Sequence, residues 1–209
     1  MTEPKVVLCF GDSNTFGRKI LRKTRYPRAE RWTTYLQGNL GDDYYVIAEG
    51  LGGRTVDRED PEKPFRKGLD YFGPCVVSHE PDVVVIMLGS NDLKVVFNKN
   101  AEQIAKSLEQ YIDYLKMDFP RTKILIVSPM IIDPTKPIYL QELATIFDEE
   151  KQRKSVQLVD ELQKIAYKNK VYYLDANHYV RAGDDGIHWG EGSNEKFAEA
   201  LAKKIEEME

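Results

Sequence analysis

Ser13 lies in Phe-Gly-Asp-Ser-Asn-Thr-Phe-Gly, residues 10–17, directly after the apolar run Val6-Val7-Leu8-Cys9-Phe10. A small hydroxyl residue between glycines, where a buried strand ends, is how α/β folds lift a nucleophile off the sheet edge. Gly11 and Gly17 let the backbone turn sharply and approach a ligand where a Cβ would interfere. A serine hydroxyl is a poor nucleophile unless a base removes its proton during attack, and two later segments carry the remaining parts. Gly89-Ser90-Asn91-Asp92 follows a second apolar run, and Asp185-Gly186-Ile187-His188 lies near the C-terminus. His188 is the candidate base, and Asp185, three residues earlier, can fold back to accept the N–H of its other ring nitrogen. The N–H groups of Ser13 and of Gly52 or Gly53, with the Asn91 side-chain amide, can converge on a developing oxyanion. Together these residues supply the parts for acyl transfer.

Each residue also has a plainer reading. Ser13 alone would be a helix cap or turn residue, and Asn91 alone a turn residue. Asp12 and Asp92 are read as caps of the following turns and left outside the chemistry. His79 precedes Glu80-Pro81 near a helix end, where histidine commonly caps carbonyls. His178 has only Asp175 nearby. Three histidines without paired ligand spacing, and no H-x-x-x-H, predict no metal site.

The elements that must position these groups are legible as short β-branched runs at 6–10, 44–48, 83–88, 123–127 and 171–174. The third, Val-Val-Val-Ile-Met-Leu, has no polar alternation and reads as a central parallel strand covered on both faces. Helical stripes separate the runs. Residues 101–117 align Ile104, Leu108, Tyr111, Ile112 and Leu115; residues 151–169 align Val156, Val159, Leu162, Ile165 and Ala166. A last helix, with Ser193 as N-cap, aligns Phe197, Leu201, Ile205 and Met208. Alternating strands and helices predict an α/β fold: a doubly wound, flavodoxin-like three-layer α/β/α sandwich on a five-stranded parallel sheet, with residues 1–209 as one domain. Such sheets bind ligands beyond the carboxyl ends of their strands, and every candidate falls on that edge.

Two stretches break the rhythm. Residues 54–68, highly charged with Pro61 and Pro64, read as a surface loop. Residues 129–147 carry three prolines and then Ile138, Tyr139, Leu140, Leu143, Ile146 and Phe147. An apolar excursion after a strand is a cap over a site, a subunit contact or the start of the next core helix.

Composition narrows the function classes. The net charge is −4, and the densest basic stretch, 18–31, is broken by Tyr26, Pro27 and Glu30, which argues against nucleic acid or an anionic membrane as partner. The apolar runs are far too short to span a bilayer. Cys9 and Cys75 both fall in buried elements and read as free thiols of a reducing, cytoplasmic compartment, and the N-terminus leads straight into a strand with no room for a signal sequence.

Gly-Asp-Ser-Asn near the N-terminus, Gly-Ser-Asn-Asp mid-chain and Asp-Gly-Ile-His near the C-terminus resemble, in that order over nearly the whole chain, the SGNH (GDSL-type) hydrolases. Residues 49–55, Glu-Gly-Leu-Gly-Gly-Arg-Thr, with residues 86–94, look more narrowly like the arylesterase/acyltransferase branch. The resemblance implies Ser13 as nucleophile, Gly53 (or Gly52) and Asn91 in the oxyanion hole, and Asp185 and His188 completing a triad. It further implies short-chain ester substrates, no cofactor, acyl transfer to alcohols in some members, and homo-oligomeric assembly. Asn14 stands where the motif usually has Leu, which bears on the acyl-pocket wall; Phe16, Ile187 and Trp189 would crowd the pocket and favour short acyl groups. The predicted function is a serine esterase of small, acetyl-like esters, acetylated sugars among them. Its rivals are a thioesterase or lysophospholipase of the same fold and, from another class, a flavodoxin-like binding module. The last lacks a phosphate loop, because Asp12 puts an anion where phosphate wants only N–H groups.

Overall fold

A computed structural model describes residues 3–20, 24–147 and 150–208. Five parallel strands form one sheet: β1 (Lys5–Gly11), β2 (Tyr44–Gly50), β3 (Val83–Met87), β4 (Lys123–Ser128) and β5 (Tyr172–Asp175), in the order β2-β1-β3-β4-β5. Among the described residues, six α-helices accompany them: α1 (Ser13–Phe16), α2 (Trp32–Leu40), α3 (Gly68–His79), α4 (Ala101–Asp118), α5 (Lys151–Asn169) and α6 (Ser193–Glu206).

Side-chain alternation along the strands sorts the core into two layers. Leu8, Phe10, Val84 and Ile86 face α3, α4 and α5, where Phe72, Leu108, Tyr111 and Leu162 close the core. Val7, Cys9, Val85 and Met87 face α2 and α6, meeting Trp32, Leu36, Phe197 and Leu201. All of β3 is buried, as its unbroken apolar run requires. Strand order reverses between β1 and β3, the switch point at which such sheets bind ligands. Register places Gly11 opposite Gly50 of β2 and Met87 of β3, so the three segments after these strands leave the sheet side by side.

Several local expectations need correcting. Gly192, not Ser193, caps α6; its positive φ of 75° starts the turn, and the Ser193 hydroxyl accepts the Arg181 N–H at 3.1 Å. The buried face of α5 carries Ser155 and Leu158 rather than Val156, which is exposed, because Ser155 Oγ accepts the Ile132 N–H inside the protein. Helix α2 escaped the periodicity reading altogether. The charged stretch 54–68 begins indoors: Arg54, Thr55 and Val56 are buried, and so is Asp60, which pairs with Lys94 at 2.9 Å. Within 129–147 no regular α-helix forms. Ile132, Tyr139 and Phe147 join the core, a π-turn spans Tyr139–Leu143, and Leu140 and Ile146 remain exposed. Among the described residues, no helix is long and apolar enough to cross a membrane.

Candidate active site

Ser13 opens α1, a single turn seated at the end of β1. Asp12 caps it, its carboxylate accepting the Asn14 N–H at 3.0 Å, and Gly17 ends it in the left-handed region. The turn lies so close to β2 that a Cβ on Gly50 would come within 2.1 Å of the Phe16 backbone nitrogen. Any side chain at position 50 would therefore push α1 away from the sheet edge.

His188 Nε2 lies 2.9 Å from Ser13 Oγ, and His188 Nδ1 lies 2.6 Å from Asp185 Oδ2. The other Asp185 oxygen accepts the backbone N–H groups of Ile187 (3.1 Å) and His188 (2.9 Å), which closes the loop into a compact turn. Burial alone would raise the Asp185 carboxyl; the His188 hydrogen bond and charge, with the two N–H donors, outweigh it and hold the group below the ordinary carboxylate range. Asp185 is thus an anion able to fix the imidazole and stabilise its protonated form.

The three groups predicted as oxyanion donors sit in different settings. The Ser13 N–H belongs to the first turn of a helix and has no intrahelical acceptor. Gly53 adopts φ 83° in the turn closed by Arg54 N–H to Leu51 O at 3.0 Å, a conformation open to glycine. Among the described residues, neither the Ser13 nor the Gly53 N–H has a protein acceptor. Asn91 Nδ2 donates to Arg54 O at 3.1 Å and to Asp12 Oδ2 at 3.4 Å, which pins its amide beside the Ser13 turn.

The remaining predicted residues take different places. Asn14, expected as an acyl-pocket wall, is buried, and its amide bridges the Ser13 turn to the His188 loop: Oδ1 accepts the Trp189 N–H at 3.1 Å and Nδ2 donates to Ile187 O at 3.4 Å. Trp189, expected in the pocket, is 2% exposed and packs edge-on against Phe197 in the α2/α6 core, drawn there by its apolar bulk. Ile187 is half-buried against the opposite core layer. His178 is exposed, 3.7 Å from Asp175. His79, expected to cap carbonyls, has its Nε2 facing Glu49 at 3.5 Å, and the Cys75 thiol lies within 4.8 Å of both donor atoms.

Two supporting residues were missed. Arg54 is buried with its guanidinium 4.0 Å over the Phe10 ring, donating to the carbonyls of Gly11 (3.0 Å) and Glu49. It thereby ties the ends of β1 and β2 that carry Ser13 and Gly53. The only sequence signal was a cation directly after two glycines. Asp92 accepts the Val56 N–H with both oxygens at 3.0 Å, anchoring the Asn91 turn to the segment after Gly53; burial pushes its carboxyl up to about 7.

The decisive comparison is with a family model. That of the GDSL-like Lipase/Acylhydrolase family matches residues 9–194, from β1 through the Asp185/His188 loop to the start of α6. The chain belongs to the GDSL-like lipase/acylhydrolase family. Among solved structures, this family member is similar to an aryl esterase of M. smegmatis in its inhibitor-bound form, at 32% identity and TM-score 0.89, over 98% of this chain and 100% of the other. It is similar to a carbohydrate acetylesterase from Sinorhizobium meliloti at 30% identity and TM-score 0.89, with the same coverage. An acetylxylan esterase of Xylanibacter ruminicola is 28% identical over 223 residues, covering 95% of this chain and 42% of that protein. The chain thus spans under half the length of that curated relative.

Proposed function

We propose that the chain is a carboxylic ester hydrolase that cleaves short, acetyl-like acyl esters through a Ser13 acyl-enzyme, with carbohydrate alcohols among its leaving groups. The observation that carries this reading is the continuous chain Ser13 Oγ, His188 Nε2, His188 Nδ1 and Asp185 Oδ2, at 2.9 and 2.6 Å. His188 takes the hydroxyl proton as Oγ attacks the ester carbonyl, while Asp185 holds the imidazole by its other nitrogen. The oxyanion settles on the Ser13 and Gly53 N–H groups and the Asn91 amide. The tetrahedral adduct collapses as His188 returns the proton to the departing alcohol. Water then attacks the acyl-enzyme with His188 again as base; an alcohol in its place gives acyl transfer.

The preference for short acyl groups is supported by the small opening at the hydroxyl, with Ser13 and His188 both under a tenth exposed, and by segment 129–147. That segment is laced to the loop carrying the acid and base: Asp133 N–H donates to Gly186 O at 2.9 Å and Ile138 N–H to Asp184 O at 3.2 Å. Esters of sugars are favoured by the resemblance to carbohydrate acetylesterase and acetylxylan esterase. The reading includes self-association, since Leu140 and Ile146 of the segment, and Val96, leave apolar side chains exposed, and a reducing compartment, since Cys9 and Cys75 are both free.

A fluorophosphonate probe followed by intact-mass measurement tests the mechanism. One label on the wild type and none on Ser13→Ala is expected; equal labelling of both would remove Ser13 as nucleophile. Initial rates on p-nitrophenyl esters of rising chain length, and on acetylated xylo-oligosaccharides, then test the substrate. Highest kcat/KM on the longest chains would overturn the short-acyl assignment.

A further inference from the structure

A second cluster of potentially reactive side chains lies on the α3 side of the sheet and takes no part in the chemistry above. Cys75 and His79 are one helical turn apart on α3, so both project from one face, as the paired ligands of helical metal motifs do. Glu49, from the end of β2, reaches the same point. The donor atoms of the three residues all lie within 4.8 Å of one another, with His79 Nε2 3.5 Å from Glu49 Oε1. This is the one such group among the described residues. Histidine spacing alone could not reveal it, because the second helical donor is a thiol and the third comes from another element.

We propose that Glu49, Cys75 and His79 form a zinc-binding site that staples α3 to the end of β2, with solvent in the fourth position. Mixed thiolate, imidazole and carboxylate ligands suit a borderline divalent ion better than calcium or magnesium, which want oxygen alone. Zinc bond lengths place tetrahedral ligand atoms about 3.4–3.6 Å apart, so the His79–Glu49 separation already fits and Cys75 needs only a small side-chain adjustment. Charge balances as well: a thiolate and a carboxylate neutralise a divalent ion, and the site sits at the C-terminal, electronegative end of α3. Arg54 is the cation facing the cluster, and it is held by Phe10 and by the Gly11 and Glu49 carbonyls rather than by the Glu49 carboxylate. Binding exchanges one proton for the metal: the S–H bond breaks, the S–Zn bond forms, and the proton leaves to solvent with no change in oxidation state. Because Cys75 is buried while Glu49 and His79 are each partly exposed, an ion can enter from the outer side.

The test uses untagged full-length protein freed of metal with chelator and titrated separately with zinc and with cobalt(II), a spectroscopic stand-in. Expected are saturable binding at one ion per chain in the micromolar range or tighter, a thiolate-to-cobalt charge-transfer band, and a higher thermal midpoint with zinc. Cys75→Ser should lose the band, and His79→Gln should weaken binding by about tenfold or more. Should Cys75→Ser fail to fold, the half-exposed His79→Gln carries the test alone. Absence of saturable binding below about 0.1 mM, or unchanged binding in His79→Gln, would overturn the site. Ester hydrolysis is measured in parallel, so loss of the proposed activity is distinguishable from loss of the metal site.

Discussion

Two groupings of a histidine, a carboxylate and a hydroxyl or thiol, one at Ser13 and one at Cys75, share similar parts and differ in arrangement. At Ser13 the groups form a line: the imidazole stands in the middle and uses both ring nitrogens, one toward Oγ at 2.9 Å and one toward Asp185 at 2.6 Å. At Cys75 they form a triangle, with the three donor atoms within 4.8 Å of one another and His79 facing Glu49 through Nε2. A line moves a proton from one end to the middle while the other end holds the resulting charge. A triangle has no such direction; it surrounds a point and suits a bound cation. The thiol differs accordingly. Burial, and after it the Glu49 charge, push Cys75 up to about 12, far from what a nucleophilic cysteine needs.

The sharpest way to break this comparison is to remove each histidine in turn. His188→Ala and Ser13→Ala should each lower kcat by roughly 10⁵–10⁶-fold, and the double variant should fall little further, because the line acts as a unit. His79→Gln should keep kcat/KM within about twofold. Losses that multiply in the double variant would place His188 outside the proton path.

Asn91→Ala tests the proposed oxyanion donors. Its amide is held beside the Ser13 turn, so kcat should drop by about 10²–10³ with KM little changed. Weakened KM at unchanged kcat would move Asn91 into substrate binding.

The buried carboxylates sharpen the contrast further. Asp185 is held low and Asp92 is raised to about 7, although both accept backbone N–H groups; Asp92 is the more deeply buried of the two, and Asp185 has the His188 imidazole beside it. For Asp185 the sign is stabilising above the unfolded pKa, and the contribution is lost as pH falls through the lowered folded value. For Asp92 the folded state binds the extra proton, so stability is lost as pH rises from about 4 toward about 7. Asp92→Asn should therefore flatten the dependence of Tm on pH across that window, a difference on the order of 2–4 kcal/mol between its ends. A variant that tracks the wild-type slope would show that another group carries it.

The smallest effect is expected where the line meets segment 129–147. Ile138→Ala/Tyr139→Ala should shift the preferred acyl length upward by one or two carbons, roughly the worth of a methylene or two in an apolar pocket. Unchanged chain-length preference, with unchanged mass by light scattering, would leave this segment a purely structural role.

What was legible in the sequence follows from how local the signal is. β1 and β3 announce themselves as unbroken apolar runs, and the Asp185–His188 turn lies within four consecutive residues. Ser13, His188 and Asp185 could be named because each sits in a short motif, and the fold brings their polar atoms to hydrogen-bonding distance. Arg54 was obscure because its partners are carbonyls and an aromatic face, which leave no pattern in side-chain identity. The Glu49–Cys75–His79 cluster needed β2 and α3 to be brought together. The phase of α5 was misread because a serine occupies its inner face, where the donor it satisfies belongs to a distant strand exit. Residues 129–147 defeated periodicity because three prolines leave short bends, some facing the core and some facing out.

Asn14 has a consequence of another kind. Its two amide hydrogen bonds reach Ile187 and Trp189, so the residues on either side of His188 are held directly by the turn that carries Ser13. A shift of either segment is passed directly to the other, so Asn14 links the position of Ser13 to that of His188. Anyone transplanting this centre, or reshaping it for a different ester, should treat residues 12–17 and 185–189 as a single cartridge to be moved together.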